Sequence, residues 1–270
     1  MFKGGRISAQ DIVAFGKLLS TIGYSKVTVG GGDPLSREDL PEILEGLSNQ
    51  GLDINLDTVG TAFLFDTETI FFGRLNIPRV DPEVIAPFVN YVGIPLDGAD
   101  PTTALAFRTG RENIVDEQQR IIHRLADHEI PVSLNTVVSS INVGDLNRMF
   151  DIANNLPLKK WQLFEFMPIG PLGSANADLF KLDQGRFNQA MIELHSQNNR
   201  YGHDLVIEGK SAVDRANRYL IIDDRGLAWI PEGDGSNRIE IGNIRENSGQ
   251  KVLDAITNYD KRLNNGVCES

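Results

Sequence analysis

The stretch VSLNTVVSSINVGDLNRMFDIANNLPLKKWQLFEF, residues 132–166, decides the fold of this chain. Its apolar, β-branched opening predicts a strand at Val132–Val138, and its end predicts a second strand at Lys160–Phe166. Between them, Gly144–Asn155 has the periodicity of an amphipathic helix. A strand, a helical crossover and a second strand lie parallel, so this stretch predicts one unit of an α/β fold.

The alternation of strands and helices continues on both sides of this stretch. Four further strands are predicted at Lys26–Val29, Leu52–Asp57, Tyr91–Leu96 and Asp204–Glu208. Amphipathic periodicity predicts helices at Ser8–Ile22, Asp39–Gln50, Glu83–Phe88, Glu112–Glu129 and Asp183–Gln197. Crossovers of this length can curl a parallel sheet into a barrel or leave it open, and in both folds the chemistry lies at the carboxyl ends of the strands.

A change in composition near Gly209 divides the chain into two predicted units. Residues 1–209 are predicted to form the α/β unit. Residues 210–270 are predicted to form a small β-rich cap. Its closing helix, Val252–Asn258, is expected after short antiparallel strands at Arg218–Asp223, Leu227–Ile230 and Arg238–Ile241.

The balance of residue types excludes several classes of protein. The net charge is −11, and an acidic surface repels nucleic-acid phosphates, so no nucleic-acid partner is expected. No run of about 18 apolar residues predicts a membrane span, and the first residues lack the apolar region of a secretory signal. Cys268 is the only cysteine, which excludes an intrachain disulfide and fits the reducing cytoplasm, where we expect the protein to be located.

A glycine-rich turn follows the first predicted strand. Gly30, Gly31 and Gly32 let a ligand approach the backbone closely, because no Cβ stands in the way. Their carbonyls and the Asp33 carboxylate accept hydrogen bonds, a combination that suits an ammonium group better than a phosphate. The alternative is a plain strand-to-helix turn, with Ser36 capping the helix.

Further polar residues recur near the carboxyl ends of the other strands: Asp57, Thr58, Asp97, Asn135, Thr136 and Glu165. Taken singly, each can be a satisfied structural group, Asn135 as a core amide and Glu165 as the partner of Arg108 in an ion pair. Their recurrence at several strand ends favours a ligand site.

Seven segments match, in order, the motifs of one known family. Val29–Leu35, VGGGDPL, is similar to a GGE-P-L strand end with Asp in place of Glu, and Ile94–Gly98, IPLDG, is similar to an I-S-L-D-G strand. The other similar segments are Leu56–Thr61, Phe107–Gly110, Val132–Asn142, Trp161–Gly170 and Gly226–Ile244. The ordered set resembles the radical S-adenosylmethionine (SAM) superfamily, in the branch that contains molybdenum-cofactor and peptide-maturation enzymes and viperin.

The resemblance implies a partial (β/α) barrel that binds SAM and works with a [4Fe-4S] cluster, which reduces the sulfonium and releases an adenosyl radical. By position, Gly31, Gly32 and Asp33 would accept hydrogen bonds from the SAM ammonium group. Thr58 belongs to the same implied binding set. Arg108 would meet the SAM carboxylate.

The resemblance also implies contacts with the rest of SAM. Asn135 and Thr136 would face the ribose, and Met167 and Ile169 would pack on the adenine. Pro95 stands where many relatives place a serine that contacts the ribose.

The chain departs from the family at the cluster. The family holds its [4Fe-4S] cluster through CxxxCxxC on the loop after its first strand, and both that strand and that loop are missing here. One expectation is therefore an in-frame CxxxCxxC upstream of Met1; the other is a relative without a cluster. The ligands of the cluster are absent from these 270 residues.

Three functions stay open at this point. The leading one is a SAM-binding barrel for radical chemistry on an unknown small-molecule or peptide substrate, not competent alone. The second is a cluster-free scaffold that binds SAM or supports a partner enzyme. The third is a hydrolase or lyase in which four carboxylates converge on Mg²⁺ or Mn²⁺: Asp33, Asp57, Asp97 and Glu165.

Overall fold

The computed structural model describes residues 6–69, 75–108, 113–201, 204–216 and 218–265. The strands within this part of the chain are β1 Lys26–Val29, β2 Asp53–Asp57, β3 Thr67–Thr69, β4 Leu75–Ile77, β5 Tyr91–Pro95, β6 Val132–Val138, β7 Lys160–Glu165, β8 Val206–Lys210, β9 Ile221–Ile222, β10 Leu227–Glu232 and β11 Asn237–Asn243. Cys268 and the motif residues Thr109 and Gly110 lie outside the described residues.

The α-helices of the same part are α1 Ala9–Thr21, α2 Leu40–Ser48, α3 Pro101–Phe107, α4 Ile114–Asp127, α5 Leu146–Asn154, α6 Gly170–Ala175, α7 Ala177–Phe180, α8 Arg186–Tyr201, α9 Ala212–Arg215 and α10 Gln250–Asn265. Among the described residues, no helix has the length and apolar character needed to cross a lipid bilayer.

Six strands form one sheet in the order β1-β2-β5-β6-β7-β8, and every neighbouring pair is parallel. The sheet is curled into a partial barrel, which confirms the predicted α/β fold class. Because the strands are parallel, their carboxyl ends lie along one edge of the sheet. The loops that carry the predicted site residues therefore meet at that edge.

Side chains alternate across the sheet, and one face supplies most of the apolar core. Ile54 and Leu56 of β2 are completely buried in this core, whereas Asn55 and Asp57 between and after them are only partly buried. The same alternation in β6 and β7 buries Val132, Leu134, Trp161 and Leu163. The opposite, concave face of the sheet is left to the polar side chains.

Thr136 joins three strands inside this core. Its side chain is completely buried, its hydroxyl donates to the Leu96 carbonyl (2.6 Å), and it accepts from Nε1 of the fully buried Trp161 (2.9 Å). A buried indole N–H without an acceptor costs free energy. Thr136 therefore allows the largest core side chain to be buried without that cost.

The tail after β8 forms an antiparallel sheet in the order β11-β10-β9. A second apolar cluster joins this tail to the N-terminal helix; its buried members are Ile7, Phe15, Ala228, Ile244, Val252 and Ile256. The predicted boundary after residue 209 falls one residue before the end of β8.

Several elements differ from the sequence predictions. The predicted helix Glu83–Phe88 is a 3-10 turn at Pro82–Val84, whose first N–H groups are capped by Asp81. The hairpin of β3 and β4 and the short helix α3 were not predicted. These elements are three to seven residues long, too short for a hydrophobic period to identify them.

We predict that Thr136→Val destabilises the protein by about 1–3 kcal/mol, because the isosteric valine leaves the buried Trp161 N–H without an acceptor. The free energy of unfolding in urea measures this loss. Thr21→Val is the matched control, since the Thr21 hydroxyl bonds the Leu18 carbonyl at an exposed position. Equal stability of Thr136→Val and the parent would contradict the assigned role.

Candidate functional site

Five polar side chains form a connected row on the concave face, contributed by four strands. Asn135 Nδ2 donates to Asp57 Oδ1 (3.0 Å), and Ser133 Oγ lies 2.9 Å from Asn135 Oδ1. Ser133 Oγ is also 3.2 Å from Gln162 Oε1, and Gln162 Nε2 donates to Glu208 Oε2 (2.8 Å). We call Asp57, Asn135, Ser133, Gln162 and Glu208 the polar row.

Strand β5, which lies between two strands of the polar row, contributes a glycine. Gly93 of β5 lies between β2 and β6, opposite Asp57 in one register and Ser133 in the other. A Cβ at Gly93 would collide with Asp57 Oδ1 and Asn135 Nδ2. Asp57 and Asn135 can therefore bond across β5 only because residue 93 has no side chain.

Burial raises the pKa of Asp57 to about 6. The hydrogen bond from Asn135 and the nearby charges of Lys210 and Lys160 act in the opposite direction and offset only part of this rise. Asp57 is thus a carboxyl group that changes charge close to neutral pH, inside the concave face. Such a group can hold or release a proton beside a bound ligand.

The turn after β1 has a conformation that requires glycine. Gly31 and Gly32 have φ angles of 79° and 60°, in the left-handed region. Asp33 Oδ1 accepts from the Leu35 N–H (3.1 Å) and from the Thr58 hydroxyl (2.6 Å), and Thr58 Oγ1 accepts from the Gly60 N–H (2.9 Å). The loops after β1 and β2 are therefore tied together through one carboxylate.

The alternative of a plain turn capped by Ser36 needs correction. Asp33, and not Ser36, caps the 3-10 helix Pro34–Ser36. The following helix α2 has Asp39 at its N-cap position. Ser36 ends the 3-10 helix, so its hydroxyl is not the capping group.

Arg108 pairs with Asp97 (3.3 Å), and the suggested pair with Glu165 is wrong. Asp97 is buried, which raises its pKa, while Arg108 and the Val137 N–H (2.9 Å) favour its charged form. Among the described residues, the buried Arg108 Nε has no hydrogen-bond partner. Glu165 instead accepts from the Ala212 N–H (2.7 Å).

The other predicted ligand residues are divided between the two faces. Asn135 lies on the concave face in the polar row, whereas Thr136 points into the core and does not reach that face. Met167 is buried and Ile169 is partly buried, and the backbone of Gly235 in the tail lies against both side chains. The tail therefore covers the predicted adenine contacts.

The four predicted metal-binding carboxylates do not converge. Asp57, Asp97 and Glu165 each accept hydrogen bonds from different protein groups. In the described part of the chain, Asp81, Glu83 and His128 are the three side chains close enough together to share an ion, and none belongs to the predicted set. The metal-dependent hydrolase or lyase is not supported.

Three members of the polar row were missed from the sequence: Ser133, Gln162 and Glu208. These three residues do not lie in the polar clusters that follow the predicted strands. A usable signal was present in β6, where the polar residues Ser133 and Asn135 are two apart and so share one face of the strand. Gly93 carried no such signal, because its role depends on its neighbours in space.

Comparison of the sequence with known proteins points to one family. The sequence profile described as "Radical SAM superfamily" matches residues 2–152. An AdoMet-dependent heme synthase of Methanosarcina barkeri is 26% identical over 166 residues, which are 62% of this chain and 44% of that protein. A probable GTP 3',8-cyclase of Methanococcus aeolicus is 26% identical over 187 residues, 66% of this chain and 56% of that protein. The chain thus spans about half the length of these two relatives.

Solved structures show the same fold at low identity. Streptococcus suis SuiB bound to its precursor peptide SuiA has a TM-score of 0.71 and 13% identity, over 98% of this chain and 60% of that one. The same protein bound to S-adenosylmethionine has a TM-score of 0.68 and 12% identity, over 93% and 58% of the two chains.

We predict that Gly93→Ala destabilises the protein by about 1–3 kcal/mol, because the new methyl group separates Asp57 from Asn135. Urea denaturation measures the change. Gly144→Ala is the matched control, since a Cβ there enters open space and should leave stability nearly unchanged. A Gly93→Ala protein as stable as the control would show that the polar row does not need this gap.

We predict that Asp57 makes stability fall as pH rises from about 4 to 6. Its pKa is raised from the ordinary 3.8 to about 6, so the folded protein binds the proton more tightly than the unfolded chain does. The stabilisation is present at low pH and lost above pH 6, by up to about 3 kcal/mol for two pKa units.

Asp57→Asn cannot ionise and should lack this loss. The free energies of unfolding of parent and variant are compared at pH 4.5 and 7.5, with Asp127→Asn at an exposed position as the control. A parent that loses no more stability than Asp57→Asn would contradict the prediction.

Proposed function

This chain belongs to the radical SAM superfamily, and on that premise we propose that it binds SAM at the carboxyl ends of β1, β2, β5 and β6 and holds a substrate on the concave face. The observation that carries the proposal is the tie between Asp33 and Thr58 beside the left-handed turn Gly31–Gly32. It fixes a negative charge next to accessible backbone, where the ammonium group of a bound amino acid finds acceptors.

Two further residues near the carboxyl ends of the strands would contact SAM. Arg108 offers a guanidinium group, with its Nε unpartnered within the described residues, to the SAM carboxylate. One N–H of the Asn135 amide donates to Asp57. Its second N–H would donate to a ribose hydroxyl of SAM. Thr136 bonds Leu96 and Trp161 in the core instead of contacting SAM.

The tail closes the adenine end of this site in our proposal. Residues 1–209 form the barrel unit, and residues 210–270 form its cap. The contact of Gly235 with Met167 and Ile169 supports this division of roles, because it places the cap over the apolar pair that would pack on adenine.

The [4Fe-4S] cluster does not fit the donor set of this chain. Such clusters are held by cysteine thiolates, and the only cysteine, Cys268, cannot supply them. We propose that the chain contributes the SAM-binding barrel and that the cluster ligands come from another segment or a partner enzyme. The residues named here would bind SAM, orient it and exclude water.

The substrate is proposed to be a small molecule or a peptide, on the concave face. SuiB, which has the same fold, was solved with a precursor peptide, and this favours a substrate of that size range. The single cysteine supports a cytoplasmic location for the protein.

We predict that SAM or S-adenosylhomocysteine binds this chain and that Asp33→Asn weakens the binding by roughly ten- to a hundredfold, because the negative charge that pairs with the ammonium group is lost. Isothermal titration calorimetry measures both affinities. Asn is also a good capping residue, so the turn should keep its shape.

Asp66→Asn is the matched control, since the Asp66 carboxylate accepts an N–H from Arg79 at an exposed position. Its affinity for SAM should equal that of the parent. The proposal fails if the parent binds neither compound, or if Asp33→Asn binds SAM as tightly as the control does.

A further inference from the structure

Two cations converge on one aromatic ring at the carboxyl end of β8. Lys210, the last residue of β8, pairs in register with Phe164 of β7. Lys210 Nζ lies 5.1 Å from the centroid of the Phe164 ring, and Arg215 Cζ of α9 lies 5.6 Å from the same centroid. We call Lys210 and Arg215 the cation pair. Attraction to the ring face holds both charges there without neutralising either.

The cation pair faces the concave side of the sheet. A Cβ at the preceding residue, Gly209, would contact Met191 of α8, so residue 209 points toward the helices. Neighbouring residues of a strand point to opposite faces, and Lys210 therefore points away from α8. It shares the concave face with Glu208 and Gln162 of the polar row.

Nearby carboxylates are already engaged with other groups. Glu208 accepts from Gln162 and lies 3.8 Å from Lys160, and Glu165 accepts from the Ala212 N–H. Arg215 donates to backbone oxygens of Ser211 and Glu165. Among the described residues, the Lys210 ammonium forms neither an ion pair nor a hydrogen bond, although the more distant carboxylates of Glu208 and Asp57 favour its charged form.

Burial lowers the pKa of Lys210, and the neighbouring cations Lys160 and Arg215 act in the same direction, while Glu208 and Asp57 oppose them. The Tyr219 hydroxyl is close enough to Arg215 to interact with its charge, and a tyrosine hydroxyl is protonated and able to donate at neutral pH.

We propose that the cation pair, with Tyr219, forms an anion subsite that binds a carboxylate or phosphate group of the substrate. This proposal rests on the proposed function in one respect: the anion is taken to be part of the substrate that binds on the concave face. Two positive charges and one hydroxyl donor match the acceptor oxygens of such a group. In a chain of net charge −11, these two cations would attract an anionic ligand against the overall field.

The test uses two small anions as probes, inorganic pyrophosphate and succinate, titrated into the purified chain by calorimetry. Binding of either supports the subsite, and the one that binds tells whether phosphate or carboxylate is recognised. Lys210→Met should weaken the binding by roughly tenfold or more, whereas Lys210→Arg should retain it because the charge stays in place. Lys251→Met, which removes an exposed lysine paired with Glu246, should change nothing.

Separate titrations keep this proposal distinct from SAM binding. The anion should bind equally well with and without saturating SAM, since it occupies a different place on the concave face. A parent chain that binds neither probe, a Lys210→Met variant that binds like the parent, or displacement of the anion by SAM would overturn the subsite. Failure of SAM to bind while the anion binds would overturn only the proposed function.

Discussion

Asn135 and Asp57 stand on strands that are not neighbours, and they reach each other only because Gly93, on the strand between them, has no side chain. The rest of the polar row continues from this hydrogen bond through Ser133 and Gln162 to Glu208. A buried polar group is costly unless it is paired, and pairing each member to the next lets the concave face stay polar within a folded sheet. The hydrogen bonds of the polar row therefore belong both to the candidate site and to the packing of the sheet.

The alternation of side chains separates the supporting groups from the groups that can meet a ligand. Thr136 and Asn135 are adjacent in sequence, yet one hydroxyl satisfies Trp161 in the core and the other side chain belongs to the concave face. The two residues cannot both contact one ligand, because neighbouring strand residues point in opposite directions.

Electrostatics divide the concave face into two parts. At one part, Asp57 and Glu208 are held by amides, and burial raises the pKa of Asp57 to about 6. At the other, Lys210 and Arg215 lie on the ring of Phe164. A ligand with an anionic end and a neutral or cationic body would complement both parts, which is a stronger constraint on the substrate than the acidic composition of the whole chain.

The sequence by itself determined the parallel α/β fold, because the period of the apolar residues and the length of the crossovers are local properties. It also located Asp33 and Thr58 at strand ends, and it identified the family through the order of the motifs. Only the tertiary structure decided that Arg108 pairs with Asp97 instead of Glu165. It also decided that the missing side chain of Gly93 leaves room for the hydrogen bond between Asp57 and Asn135. Those outcomes depend on the register and spacing of strands distant in sequence, and no local pattern of residues encodes them.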